Sequence, residues 1–258
     1  MSLDNRIALV TGAAKGLGEG IVEALLASGA RVALADIDEA ALGATRARLD
    51  PAGERTIAVV ADVADEAAVE RAVAAAVAAF GRIDALVGNA GVIAMGAALD
   101  EGKAQFDWQF SVNVAGLFAC CKAAARRFIA QGSGGAIVAI ASNAGKVGFP
   151  QMAGYNASKA AVINLARTLA AEWAPHGINV NAVCPGSVAT PMLRDVAAFL
   201  SARSGRPAEE HFGAMVPAQL GRHIQPVEVG RVVAFLLSDA ATIIRGQAIN
   251  VDAGATPY

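Results

Sequence analysis

The chain is short of most of what would mark it for nucleic-acid, membrane, metal or disulfide chemistry. Only 17% of its 258 residues are charged and the formal net charge is −2. That balance offers no basic footprint for a phosphate backbone or an anionic membrane. Mean hydropathy is +0.46, yet no run approaches the roughly 20 apolar residues of a membrane span. The longest apolar candidates, such as 72–80, read as alanine-rich helix. A strand is expected to begin by Arg6, which leaves no room for a signal peptide before it. Cysteine occurs three times, at Cys120, Cys121 and Cys184. An odd count with two adjacent excludes a disulfide framework and reads as small core residues in a cytoplasmic protein. His176, His211 and His223 stand at no metal-ligand spacing and no cysteine cluster joins them, so no metal is expected. No Gly-x-Ser-x-Gly elbow supports a serine hydrolase. Internal repeats, interdomain linkers and low-complexity tails are also missing.

What the chain has is apolar alternation. Hydrophobic residues make up 55% of it, enough for one large core. Strand-like runs are expected at Arg6–Thr11, Ala30–Asp36, Thr56–Asp62, Ala85–Asn89, Ala136–Ser142, Asn179–Val183 and Gln247–Val251. Amphipathic, alanine-rich stretches separate them at Gly16–Ser28, Glu39–Leu49, Glu66–Phe80, Lys103–Gln131, Met152–Trp173 and Pro226–Leu237. This alternation predicts an α/β chain: a doubly wound parallel sheet of about seven strands with helices on both faces, in a single Rossmann domain spanning 1–258. The stretch from Pro185 to Gln225, rich in glycine and proline, reads as a long irregular lid over a site.

Two motifs carry chemistry. Between the first strand and first helix lies Thr11-Gly12-Ala13-Ala14-Lys15-Gly16-Leu17-Gly18. Strand, glycine turn and helix is the context of a dinucleotide site. Gly12 suits the tight turn, Gly16 lets backbone approach a pyrophosphate, and Gly18 lets helix pack on strand, with free N–H groups at the helix start facing the anion. The spacing is Gly-x-x-x-Gly-x-Gly, not Gly-x-Gly-x-x-Gly. The second motif is Tyr155-Asn156-Ala157-Ser158-Lys159, with Ser142 thirteen residues upstream. On a helix Tyr155 and Lys159 share a face. A nearby ammonium favours phenolate, which would turn a poor base near pKa 10 into a usable one.

Together with Asp62, Asn89-Ala90-Gly91, Asn113 and Pro185-Gly186, in this order and spacing, the chain resembles a short-chain dehydrogenase/reductase of the ordinary, roughly 250-residue type over nearly its whole length. The resemblance implies interconversion of a secondary alcohol and a ketone. Ser142 would bind the substrate oxygen, Tyr155 would take the hydroxyl proton, and Lys159 would lower the phenol pKa and hold the nicotinamide ribose. Asn113 would kink its helix around a water and link Lys159 to solvent. Asp62 and Val63 would contact the adenine. Asn89, Ala90 and Gly91 would line the nicotinamide ribose, Pro185 and Gly186 would close over the ring, Val188 would hold the carboxamide, and Thr190 would sit near the phosphates. Asn143, Gly186 and Met192 join Ser142 and Tyr155 as expected substrate contacts.

Asp36, ending the second strand, decides the expected cofactor. A carboxylate there accepts from the adenosine ribose hydroxyls and repels a 2′-phosphate, so NAD is expected ahead of NADP. A helix cap is its bland alternative, and Lys15 argues weakly for NADP. The chain departs from the family at Gly88, where an asparagine is usual, at Ala141, and at Asn179. Motif detail around Ser142–Gly148 and Cys184–Met192 is similar to polyol, sugar and vicinal-diol dehydrogenases, which sets the expected substrate class. One or two of Arg194, Arg203, Arg206 and Arg222 could receive a sulfonate, phosphate or carboxylate on the substrate; the blander and favoured alternative is solvated lid charges near Asp195, Glu209 and Glu210. The alternatives are an NADP-dependent 3-oxoacyl reductase, or a non-catalytic dinucleotide sensor. The sensor would lack Ser142, Tyr155 or Lys159, and all three are present. The two long helices resemble those of family members that form homotetramers.

Overall fold

Alternating apolar runs pair into one parallel sheet in the order β3-β2-β1-β4-β5-β6-β7. The structure is a computed structural model and describes residues 2–256. The strands are β1 (Ile7–Thr11), β2 (Arg31–Asp36), β3 (Thr56–Val60), β4 (Ala85–Gly88), β5 (Gly135–Ile140), β6 (Ile178–Pro185) and β7 (Ala248–Val251). Each crossover returns the chain to the same end of the sheet, so every strand runs the same way. Strand order reverses between β1 and β4. Beyond their carboxyl ends lies the crevice where such sheets place ligands.

Apolar layers form on both faces. One holds α3 (Glu66–Phe80), α5 (Leu117–Gln131) and α6 (Ala153–Trp173) against Leu86, Ile137 and Val180. The other holds α1 (Gly16–Ala27), α2 (Glu39–Leu49) and α9 (Pro226–Leu236) against Val10, Leu34 and Val138. In the second layer α1 and α9 approach backbone to backbone. A Cβ on Gly20 would lie 2.4 Å from Pro226, and one on Gly230 would lie 2.6 Å from the Gly20 carbonyl. That closeness fixes the direction in which α1, and therefore its N-terminus, points.

Three differences from the sequence reading bear on the site. Strands β3, β4 and β5 stop at Val60, Gly88 and Ile140, so Asp62, Asn89 and Ser142 stand in the crevice and not in the sheet. The helix expected over Lys103–Gln131 is three segments: α4 (Lys103–Phe110), a π-helical stretch at Ser111–Gly116, and α5. The lid is not irregular. It contains α7 (Pro191–Ser204), capped by the Thr190 hydroxyl on Leu193 N–H, and α8 (Ala208–Ala214). Glycine and proline in 185–225 mark the ends of these two helices, and that punctuation hid them. Among the described residues no helix is long and apolar enough to cross a membrane.

Candidate active site

The glycine loop is held by contacts only glycine allows. Gly12 has φ +63°, and a Cβ there would sit 2.8 Å from Ala90 Cα. One on Gly18 would fall 1.9 Å from the Gly12 carbonyl oxygen. Asn89 ties the turn from above: its Nδ2 donates to the carbonyls of Thr11 and Gly12, both at 2.9 Å. Thr11 Oγ1 in return accepts from the N–H groups of Asn89 and Ala90 at 3.1 and 3.2 Å. The N-cap of α1 is Lys15, whose side chain makes no cap bond, so the first N–H groups of the helix face the crevice without a side-chain partner. Thr190 closes the other side, its methyl and Cβ lying 3.6 Å from where a Gly16 Cβ would stand. The Asn89 side chain braces the glycine turn, which leaves its backbone facing the crevice.

Asp36 ends β2 beside that loop. Its Oδ2 accepts from Ala14 N–H at 2.9 Å and its Oδ1 from Asp38 N–H at 3.1 Å. The α2 cap is Asp38, through Ala41 N–H, so the helix-cap alternative for Asp36 is set aside. Lys15 Nζ lies 3.9 Å from Asp38 Oδ2, with most of its side chain exposed. Likewise Asp62 turns its own loop through Ala64 N–H at 2.9 Å, while Asp65 caps α3. Val63 is buried: its Cγ2 lies 2.8 Å from where a Gly116 Cβ would be. Only its backbone is left to meet a ligand.

Ser142, Tyr155 and Lys159 converge from two elements. Ser142 follows β5, and its Oγ accepts from Ala144 N–H at 3.1 Å and donates to Asn143 Oδ1 at 3.4 Å. Tyr155 and Lys159 come from the first two turns of α6, with Lys159 Nζ 5.8 Å from the Tyr155 ring centroid. Lys159 is buried and donates to the Ile140 carbonyl at 2.9 Å. Burial lowers its pKa from 10.5 to about 8, with a smaller opposing pull from Cys184. Burial also pushes the Tyr155 phenol up, against a hydrogen bond with Ser142 that pulls it down. The phenol therefore stands above its ordinary value, burial outweighing the Ser142 bond. The ammonium packs over the ring and bonds Ile140, and desolvation dominates both groups.

Asn113 sits in the π-helical stretch, 1% exposed. Its Oδ1 accepts from Val92 N–H at 2.8 Å, and its Nδ2 donates to Val92 O and Ser158 Oγ, both at 2.9 Å. Ser158 Oγ passes the link to the Tyr155 carbonyl at 2.8 Å. The helix departs from α geometry here, and the Asn113 amide reaches Ser158. Asn113 Oδ1 and Lys159 Nζ meet only across Gly91, each 3.3 Å from a Cβ built there.

A family model described as "Enoyl-(Acyl carrier protein) reductase" matches residues 12–256. The chain belongs to the short-chain dehydrogenase/reductase family. It is 38% identical to a sorbitol dehydrogenase of Cereibacter sphaeroides, over 98% of each chain. It is also 38% identical to a D-threitol dehydrogenase of Mycolicibacterium smegmatis, over 98% of this chain and 94% of that one. Among solved structures, a variant of actinorhodin polyketide ketoreductase with NADPH superposes with a TM-score of 0.93 at 36% identity, covering 100% of both. As a short-chain dehydrogenase/reductase, the chain is an NAD(P)-dependent oxidoreductase of secondary alcohols.

The family departures have local reasons. At Gly88 a Cβ would land 2.1 Å from Leu117 Cδ1, so leucine packing occupies the room an asparagine side chain needs. Asn179 and Asn181 bond each other and the carbonyls of Ala241 and Ile244, tying β6 to the chain before β7. In the lid, Arg194 pairs with Glu209 at 3.1 Å and lies over Phe212. Arg206 pairs with Glu210, Arg222 with Glu228 at 2.7 Å, and Arg203 lies over Phe199. Three of these four arginines thus have a carboxylate partner, and Arg203 has a ring. Lys146 braces its loop on the Ala248 carbonyl at 2.8 Å. Val188 N–H turns onto the Gly186 carbonyl at 3.0 Å, and Val188 bridges to Ile224. Gly186 has no room for a side chain, since a Cβ would lie 2.7 Å from that of Asp252. Met192 is partly exposed at the start of α7. Sequence reasoning missed Thr11, Ser158, Gln109 and Glu101, which bond the backbone around these residues.

Proposed function

We propose that the chain is an NAD-dependent dehydrogenase of a polyol, sugar or small vicinal diol. The carrying observation is Asp36: a carboxylate at the end of β2, anchored by two backbone N–H groups at the edge of the glycine loop. A phosphate on the adenosine ribose would meet that charge, whereas ribose hydroxyls would donate to its remaining lone pairs. The glycine cradle fits a dinucleotide, because Gly12 and Gly18 leave backbone bare where any side chain would clash and α1 presents its N-terminus there. Gly12, Lys15, Gly16, Leu17, Gly18 and Thr190 would hold the phosphates. Asp36, Asp62 and Val63 would bound the adenosine. Ala90, Gly91, Lys159, Pro185, Gly186 and Val188 would bound the nicotinamide, which when bound supplies the hydride-accepting or hydride-donating carbon. The names of the sorbitol and threitol relatives support the substrate class.

Ser142 would hold the substrate oxygen and Tyr155 would exchange the proton with it. With the phenol held in its neutral form by burial, Tyr155 is set to donate to a carbonyl at neutral pH and to accept from an alcohol as pH rises. Asn143 and Met192 would flank the rest of the substrate. The exposed Phe118 and Ile129 on α5, beside Trp173 of α6, support a homotetramer. Three free, buried cysteines support a cytoplasmic setting. The second reading, NADP-dependent reduction of an oxoacyl substrate, draws on Lys15 and on the NADPH of the ketoreductase structure. The test is cofactor reduction across polyols, aldoses, vicinal diols and simple secondary alcohols, with NAD and NADP, using Tyr155→Phe as the blank. Turnover of a polyol or sugar with NAD is expected, and Asp36→Asn should move the preference toward NADP by tenfold or more. A clear NADP preference with oxoacyl thioesters would overturn the reading.

A further inference from the structure

The α6 helix that carries Tyr155 starts without a cap of its own. Its N-cap is Met152, which offers no side-chain acceptor, and its first turn contains no acidic residue. The N–H of Gly154, next to Tyr155, is nevertheless bonded: it donates to Glu101 Oε2 at 3.1 Å. Glu101 Oε1 accepts from Gln109 Nε2 at 2.8 Å, and Gln109 Oε1 accepts from Ala94 N–H at 3.0 Å. Gln109 is 0% exposed. Gly154 is required for this contact, because a Cβ there would lie 2.5 Å from both Gln109 Nε2 and Glu101 Oε1.

This chain of bonds repeats, one turn away, the one made by Asn113. There Val92 is joined through Asn113 to Ser158; here Ala94 is joined through Gln109 and Glu101 to Gly154. Two residues of chain cover up to about 7 Å and four residues of helix about 6 Å, so the two rungs join the same two segments at matching intervals. Tyr155 lies between them. We propose that Glu101 and Gln109 are positioning residues that fix the first turn of α6, and Tyr155 with it, against the chain segment following β4. The proposal rests on the reading of Tyr155 as the reacting group.

The rung begins and ends on backbone N–H donors, Ala94 and Gly154. Two side chains between them must supply three acceptors and one donor, which takes one carboxylate and one carboxamide, in either order. Glu101→Gln alone and Gln109→Glu alone each break the count. The double variant E101Q/Q109E restores that count, losing only the longer bond from Gln109 Nε2 to the Gln105 carbonyl at 3.4 Å. Its carboxamide at position 101 accepts from Gly154 and donates to the carboxylate at position 109, which in turn accepts from Ala94.

Amide hydrogen exchange on the full chain tests this without any substrate, so its result stands even if the polyol reading fails. Each single variant is expected to speed exchange at residues 153–156 by roughly tenfold, as a lost hydrogen bond of ordinary strength would, with β1, β4 and β5 amides unchanged. The double variant should return to within about threefold of the parent. Where the cofactor-reduction assay has a working alcohol, kcat should fall in the singles and recover in the double, while cofactor KM stays within about twofold. Gln109→Met, which accepts nothing from Ala94, gives the same readout should the buried carboxylate of Gln109→Glu prevent folding. Unchanged exchange in the singles, or a double variant no better than they are, overturns the proposal. Loss of sheet protection and a rise in cofactor KM together would assign the pair a general structural role and also overturn it.

Discussion

Lys159→Met should abolish turnover and yet leave the protein at least as stable at neutral pH. The ammonium is 4% exposed, and burial brings its pKa from 10.5 to about 8. Below about pH 8 the side chain is protonated in both folded and unfolded chains, and folding buries a charge. Between about pH 8 and 10.5 the folded protein has released the proton while the unfolded chain still holds it. Unfolding then takes up a proton, and stability rises with pH. At about 1.4 kcal/mol per pH unit the full effect approaches ~3 kcal/mol, of which about 2 kcal/mol falls between pH 7 and pH 9.5. Methionine has nothing to titrate. The difference in unfolding free energy, parent minus variant, should therefore grow by about 2 kcal/mol over that interval. The three buried thiols, all pushed up by burial, and the Tyr155 phenol titrate in both proteins and cancel to first order. Urea unfolding in reducing buffer, at one protein concentration and a series of pH values, measures the difference. A flat or falling difference would refute the claim that Lys159 is held as a desolvated amine.

Three further outcomes follow from the geometry. Because burial raises the Tyr155 phenol, alcohol oxidation should climb with pH past neutrality while ketone reduction declines. Matching profiles in the two directions would contradict this, and Tyr155→Phe should cost both by a factor of about 10² to 10⁴. Gly18→Ala places a methyl 1.9 Å from the Gly12 carbonyl and should abolish dinucleotide binding, as read by nicotinamide fluorescence, even in samples that retain helical circular dichroism. Installing the family's asparagine by Gly88→Asn should destabilise the fold by about 1–3 kcal/mol through overpacking against Leu117; Leu117→Ala in the same chain should recover part of the loss in thermal midpoint.

Residue chemistry and order were legible without a structure. Continuous apolar runs mark strands buried on both faces, so the alternation alone specified a parallel sheet between two helical layers. Glu39–Leu49 and Glu66–Phe80 were readable to the residue, because each opens after an aspartate cap and closes at a break in pattern. The glycine loop, Ser142, Tyr155 and Lys159 were readable because their spacing has few other uses. What the sequence could not decide depended on contacts between segments far apart in the chain. Apolar character continues for one residue past Val60 and Ile140, through Ala61 and Ala141, and only the ending of the ladder puts Asp62, Asn89 and Ser142 in the crevice. The π-helical stretch at Ser111–Gly116 forms where Asn113 finds Val92 and Ser158, partners that no local pattern announces. Helices α7 and α8 were masked by the glycines and prolines at their ends. Desolvation of Tyr155 and Lys159 is likewise a property of the closed core. An i, i+4 spacing puts phenol and ammonium on one face, but how far each is removed from water, and so which way its pKa moves, is set by everything packed around them.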